Sequence, residues 1–462
     1  MDKIAPCRER WLRKNKYYYD DLYKFFRFNI PKGSSVLEIG CGTGDLLNNV
    51  KPSRGVGIDI SAEMIRIARE KHSHIEFIQM DAECLTLDEK FDYVIISDTL
   101  GYFEDIQKVF HELRKVTTPE SRIIINFHNF LWLPLLELAE FLGLKMPQKR
   151  LNWLNRDDVL NLLSIEDYDV VRSGNRFIFP VYIPLFSQLI NRYISQLPML
   201  NKLCITGVVI ARQAAQCPED NSLCSVSVII PARNETGNIE NAVRRLPMMG
   251  KHTEIIFVEG HSTDDTLDEI RKVCEKYSSD LDVKYVVQDG KGKGDAVRKG
   301  FAMAKGDILM ILDADLTVQP EELVKFYNAI ASGKGEYING SRLVYPMEDD
   351  AMRSLNILGN KFFSLMFTFL LGQRLKDTLC GTKVISRRNY EKLIVNRKYF
   401  GEFDPFGDFD LIFGSAKLNL KIVEIPIRYK ARAYGSTNIS RFKHGWLLLK
   451  MVVFAMNKMK FV

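Results

Sequence analysis

Val36-Leu37-Glu38-Ile39-Gly40-Cys41-Gly42-Thr43-Gly44 decides the fold of the first half of this chain. A short run rich in Val, Leu and Ile reads as a buried strand, and the glycines after it let the backbone turn sharply and approach a ligand closely. Strand, glycine-rich turn and helix in that order put a binding loop at the carboxyl edge of a parallel sheet. Working outward, further strands are expected at 55–60, 76–81, 91–97 and 122–127, with helices at 62–71 and 106–116. Two more strands are expected near 170–179 and 205–211. Strands alternating with helices predict α/β architecture.

Acidic residues stand where these strands end. Glu38 precedes the turn, and Asp59 closes the second strand 15 residues after Gly44. Asp81 follows the third strand in Met80-Asp81-Ala82, and Asp98 follows the fourth in Ser97-Asp98-Thr99-Leu100. A carboxylate at the second strand end is placed to accept from both ribose hydroxyls of a nucleoside. The E-x-G-x-G-x-G spacing and the ordered acids resemble class I S-adenosylmethionine-dependent methyltransferases over residues 33–212. That resemblance implies a Rossmann-like domain with S-adenosylmethionine as cofactor. Glu38, Gly40, Cys41, Gly42 and Gly44 would follow its methionine portion, Asp59 its ribose, and Asp81 with Ala82 its adenine; Asp98 would face the methyl acceptor. For Glu38 or Asp98 alone, the competing reading is a helix cap or a solvated acid. Nicotinamide fits less well, because the glycine spacing is not G-x-G-x-x-G.

The methyl acceptor is not named by these residues. Ser97-Asp98-Thr99-Leu100 is unlike the Asn/Asp-Pro-Pro-aromatic tetrad of amino-methylating nucleic-acid enzymes, which disfavours base methylation. Asp98, Tyr102 and His128 are the candidates for a proton-accepting group. The apolar stretch 130–144 is expected to pack, with covering a lipid-like acceptor or docking on the second domain as the alternatives.

The interval 214–223 has few large apolar side chains and contains Pro218, so it reads as a linker between domains of 1–213 and 224–462. The α/β pattern then restarts, with strands expected at 225–231, 254–259, 283–288 and 307–313 and helices at 239–246, 266–277, 294–305 and 320–330. Ile311-Leu312-Asp313-Ala314-Asp315 sets two carboxylates at the end of an apolar strand. Hard oxygens of this kind hold Mg2+ or Mn2+ against a diphosphate and lower the cost of expelling it.

A lone D-x-D is common, and its companions give it meaning. Pro231-Ala232-Arg233-Asn234-Glu235, Val258-Glu259-Gly260-His261-Ser262 and Gly290-Lys291-Gly292-Lys293-Gly294 precede it in order. This series resembles family 2 glycosyltransferases of the GT-A fold over residues 225–345. From Gly340-Ser341-Arg342 through Glu424-Ile425-Pro426 to Arg432 it is most similar to the dolichyl-phosphate mannosyltransferase branch. The resemblance implies a nucleotide-sugar donor, with Pro231, Asn234, Glu235 and Glu259 lining the nucleoside pocket and Lys293 at the phosphates. Asp313 would orient the donor and, with Asp315, hold the metal. Arg342 and Arg353 would meet the phosphate of a polyprenyl acceptor, and Arg432 would lie over the donor. A glycan or other hydroxyl acceptor would instead need a base, for which Asp408 or Asp410 is first choice; their alternative is partnership with nearby arginines. Three departures stand out: Glu259-Gly260-His261-Ser262 replaces Asp-Asp-Gly-Ser, Lys383 replaces an arginine, and Ser436-Thr437-Asn438 lacks the usual lysine.

Composition sets the outer limits. A chain of 462 residues, 46% hydrophobic and 26% charged, is too long for one core and too mixed for a disordered or polytopic membrane protein. From Lys383 onward it carries 16 basic against 6 acidic residues, a tail suited to nucleotide diphosphates, lipid phosphates or a membrane surface. Eight cysteines without C-x-x-C spacing, and a start without an apolar signal core, point to a cytosolic protein that reaches a membrane only at its surface. Basic and aromatic residues form no nucleic-acid-binding motif. The expectation is a two-domain enzyme of glycan or glycolipid assembly that both glycosylates and methylates. Its alternative is a glycosyltransferase carrying a silent S-adenosylmethionine-binding or docking module.

Overall fold

The strand that opens the first half runs Ser35–Ile39 (β1) and stops at the glycine turn. In the computed structural model all residues are described except 1, 3, 148–151, 153, 216–222, 346–353, 400–408, 431, 433, 435–440 and 462. The chain divides into two compact units, Met1–Ala214 with Lys460–Val462, and Ala215–Met459.

In the first unit β1 is followed by β2 (Arg54–Asp59), β3 (Glu76–Gln79), β4 (Tyr93–Ser97), β5 (Arg122–His128), β6 (Tyr168–Arg176) and β7 (Thr206–Gln213). They form one sheet in the order β3-β2-β1-β4-β5-β7-β6. β1 to β5 are parallel, and β7 runs antiparallel to both β5 and β6. Central strands read as near-continuous Val and Ile because both faces are buried. Leu37, Ile39, Ile96 and Ile125 pack on one face, and Val36, Ile95, Ile124 and Ile210 on the other. β1 and β4 are neighbours whose chain connections leave to opposite sides, which opens a crevice at their carboxyl ends.

The second unit holds β8 (Ser225–Ala232), β9 (His252–Glu259), β10 (Asp282–Val287), β11 (Ile308–Ile311), β12 (Tyr337–Ser341), β13 (Lys383–Ser386) and β14 (Ile422–Pro426). Their order is β10-β9-β8-β11-β13-β12-β14, parallel from β10 to β11, with β13 antiparallel to its neighbours and β14 parallel to β12. Both units are therefore α/β.

Two expectations need correction. β11 ends at Ile311, so Asp313 and Asp315 lie in the turn beyond it, where Leu316 N–H bonds back to the Asp313 carbonyl. The apolar stretch after β5 packs only in part: the helix Leu133–Phe141 has no fully buried residue, and Phe130, Leu131, Leu135 and Phe141 are exposed. Its apolar residues surround the helix instead of forming one stripe, so a single contact face has no means of covering them.

Candidate active sites

In the first unit the turn after β1 is tied to β2 from both ends. Gly40 and Cys41 donate to the Ile58 carbonyl at 2.8 and 3.0 Å. Asp59 then accepts from Gly42 N–H through Oδ2 and from Ser61 N–H through Oδ1, both at 2.9 Å. Each of its oxygens keeps a lone pair for a ligand hydroxyl. Glu38 is buried and accepts from Leu47 N–H at 3.0 Å, fastening the following helix to β1. Burial pushes its carboxyl up to about 8, against the pull of Arg8. Asp81 lies just past β3, where Oδ1 receives Glu83 N–H, and Ala82 is buried beside it.

Arg8 was not marked by its sequence context, a charged helical run. Its guanidinium nevertheless lies against the glycine turn. Gly42 has φ +52°, and a Cβ there would meet Arg8 Nε at 2.8 Å. Burial opposes the charge on Arg8, but Tyr19, Asp59, Asp45 and Glu38 outweigh it and raise its pKa. A cationic fork beside a glycine turn with an acid at the ribose position fits the carboxylate and hydroxyls of S-adenosylmethionine.

Asp98, at φ +51°, gathers a second cluster. It accepts from Asn126 Nδ2 at 2.7 Å and from the Tyr18 hydroxyl at 3.0 Å, and His128 Nδ1 lies 3.6 Å away. Tyr18 and Tyr19, on the helix Lys16–Asn29, were likewise invisible as site residues in the sequence.

In the second unit the turn after β11 meets two cations. Lys293, which opens the helix Lys293–Met303, reaches Asp313 Oδ1 at 2.6 Å. Burial works against the Asp313 carboxylate, but Lys293, with Lys383 and Arg342 nearby, outweighs it and keeps its pKa low. Arg432 bridges Asp315 Oδ2 and Glu235 Oε1, each at 2.7 Å. Burial raises the Glu235 carboxyl despite that partner. Asp315 Oδ1 accepts from Thr317 N–H and hydroxyl at 3.1 and 2.8 Å.

The loop after β8 is held to the loop after β9. Pro231 lies within β8, and beyond it Asn234 accepts Thr263 N–H at 2.8 Å. Glu259 accepts Ser262 N–H at 2.6 Å, so its side chain organises the loop that replaces Asp-Asp-Gly-Ser.

Arg342 is committed to a partner that the sequence did not reveal. Its Nε and Nη2 donate to the two oxygens of Asp377 at 2.7 and 2.8 Å. Asp410 pairs with Arg397 at 3.2 Å, and Arg298 adds positive charge near it, which is the arginine-partner alternative. Arg353 and Asp408 lie outside the described residues.

No group of three or more His, Cys, Asp or Glu that could hold a metal occurs among the described residues. Asp313 and Asp315 still fit Mg2+ or Mn2+, because such ions take one or two carboxylates and complete their shell with phosphate and water. Arg432 and Lys293 place positive charge on these two carboxylates.

The family model for a methyltransferase domain matches residues 30–155, and that for glycosyl transferase family 2 matches residues 227–394. Glycosyltransferase AglJ of Haloferax volcanii is 27% identical over 48% of this chain and 68% of its own length. The dolichol-phosphate mannosyltransferase of Pyrococcus furiosus is 38% identical over 46% of this chain and 58% of its own. A solved S-adenosylmethionine-dependent methyltransferase from Mesorhizobium loti is 18% identical, covering 41% of this chain and 96% of its own, with a TM-score of 0.33. The chain spans 34% to 68% of the length of its Haloferax volcanii relatives. The chain thus carries a segment matched by the methyltransferase-domain model, followed by one matched by the glycosyl transferase family 2 model.

Proposed function

We propose that the second unit transfers a sugar from a nucleotide donor to a polyprenyl phosphate with inversion, and that the first methylates an acceptor from S-adenosylmethionine. The arrangement that carries the reading is the turn after β11, where Asp313, Asp315, Lys293, Glu235 and Arg432 converge. The names of relatives that act on dolichyl phosphate support the acceptor class.

A divalent cation bound there would neutralise the departing nucleoside diphosphate. Asp313 and Asp315 would hold it, Lys293 would turn from Asp313 to the phosphates, and Arg432 would move from Asp315 onto the donor. A phosphate acceptor is already ionised and attacks the anomeric carbon without a strong base. In the first unit, Asp59 would hold the ribose hydroxyls and Arg8 the methionine carboxylate. S-adenosylmethionine supplies an activated methyl group, so the protein aligns the acceptor and removes its proton.

One observation favours a second reading. Because Asp377 already occupies Arg342, its affinity for an acceptor phosphate is reduced, which suits a glycan or other hydroxyl acceptor. The test is incubation of the full chain with UDP- and GDP-sugars, Mn2+ and decaprenyl phosphate, scoring lipid-linked sugar. Transfer that survives chelation of all divalent ions sinks the metal-dependent mechanism, and transfer to an alkyl glycoside but not to the lipid phosphate selects the second reading. No helix among the described residues is long and apolar enough to cross a membrane.

A further inference from the structure

We propose that His128, which faces Asp98 at 3.6 Å, is the base that takes the proton of an alcohol acceptor, making the first unit an O-methyltransferase. The proposal rests on the S-adenosylmethionine reading of the glycine turn.

Three observations carry it. His128 is the last residue of β5 and Asp98 follows β4, so sheet order brings both to the carboxyl edge that holds the glycine turn. Asp98 is fixed from two sides, by Asn126 Nδ2 at 2.7 Å and the Tyr18 hydroxyl at 3.0 Å, which aims its carboxylate at the imidazole. His128 Nδ1 is buried without a hydrogen-bond partner, 3.6 Å from Asp98 Oδ1. A gap of that length can close to a hydrogen bond when an acceptor draws on the other ring nitrogen. The imidazole keeps 17% of its side chain exposed, enough for an acceptor to reach it.

The acceptor class follows from what needs a base. Among oxygen acceptors, a carboxylate attacks while already ionised and needs no base. An alcohol must lose a proton as it becomes a nucleophile. In the balanced step the oxygen–hydrogen bond breaks and its proton goes to His128 Nε2. The oxygen pair forms the bond to the methyl carbon, the carbon–sulfur bond breaks, and its electrons stay on sulfur. Asp98 carries the charge opposite the imidazolium that results, the role of a carboxylate behind a histidine base. Burial lowers the pKa of His128, Asp98 and Glu140 raise it, Lys145 lowers it, and the Tyr18 hydroxyl shares Asp98, so the ring is neutral and ready at neutral pH.

The test uses the full chain with histidine labelled for NMR. S-adenosylhomocysteine should bind wild type and His128→Gln within about threefold of each other, because His128 touches the acceptor side. Failure of both to bind overturns the cofactor reading itself; weakened binding in the variant alone overturns the assignment of His128. Sinefungin carries an ammonium where the methyl group would lie. It should depress the His128 pKa by about half a unit or more relative to the S-adenosylhomocysteine complex. No difference between the two complexes places His128 away from the reacting methyl and overturns the proposal. Asp98→Asn should lower the His128 pKa; an unchanged value removes Asp98 from the role. With labelled S-adenosylmethionine, octyl mannoside should be methylated and octylamine should not, with the signal lost in His128→Gln. Methylation of the amine, or of neither probe, overturns the alcohol assignment.

Discussion

Arg432 donates through Nη2 to Oδ2 of Asp315 at 2.7 Å. A guanidinium thus occupies the carboxylate that is proposed to hold the metal, and cation loading must displace it. A hydrogen bond between charged groups contributes about 1.5–3 kcal/mol. Arg432→Met should therefore tighten Mn2+ binding about tenfold by calorimetry, while sugar transfer falls because the donor loses its arginine. Unchanged Mn2+ affinity removes Asp315 from the metal.

Gly381 lies against the same turn, and a Cβ there would stand 1.8 Å from Asp313 Oδ2. Gly381→Ala should push Asp313 off Lys293 and cut sugar transfer at least about a hundredfold, with S-adenosylhomocysteine binding untouched. Wild-type transfer rates in this variant would separate Asp313 from catalysis.

The buried pair Arg342–Asp377 makes stability depend on acid. Burial opposes ionisation of Asp377, but Arg342 overrides it and brings its pKa to about 2. A carboxyl depressed on folding stabilises fully above its unfolded value of 3.8 and loses that contribution as pH falls toward 2. The second unit should lose roughly 2 kcal/mol across that window. Asp377→Asn should already be destabilised by about 3–5 kcal/mol at neutral pH, because a buried guanidinium loses its counter-charge. Urea unfolding followed by hydrogen exchange reads both effects; a variant as stable as wild type contradicts them.

Glu38 should behave in the opposite sense. Its carboxyl is raised from 4.5 to about 8 by burial, so folding favours the protonated form and stability falls as pH rises through that interval. Glu38→Gln removes the titration and keeps an acceptor for Leu47 N–H. Relative to wild type it should gain roughly 4 kcal/mol between pH 4.5 and 8.5, measured on the unfolding transition of the first unit. A pH-independent difference would mean that Glu38 is ionised in the fold.

Arg8 is expected to bind the carboxylate of the cofactor. Arg8→Met should weaken S-adenosylhomocysteine binding about tenfold, with a much smaller effect on decarboxylated S-adenosylmethionine. Equal losses for both ligands would assign Arg8 a packing role only.

Much of the candidate site was legible because its signals are local. A glycine turn, an acid one residue past a strand and a D-x-D turn each need only neighbouring residues and the backbone geometry they permit. The strands β12, β13 and β14 were missed for the same reason: they are four or five residues long, and Asn339, Gly340 and Pro426 weaken their β pattern.

The amino-acid order by itself determined two α/β units and the positions of Glu38, Asp59, Asp98, Asp313 and Asp315, since hydrophobic period and turn chemistry act over a few residues. Only the tertiary structure decided which groups meet: Arg8 at Gly42, Tyr18 and His128 at Asp98, Gly381 at Asp313, Arg432 at Asp315 and Asp377 at Arg342. Asp315 and Arg432 are 117 positions apart. Their meeting depends on sheet order and on the path of every intervening connection, and pairing of charges in a buried site is a property of that enclosure and not of either residue's neighbours.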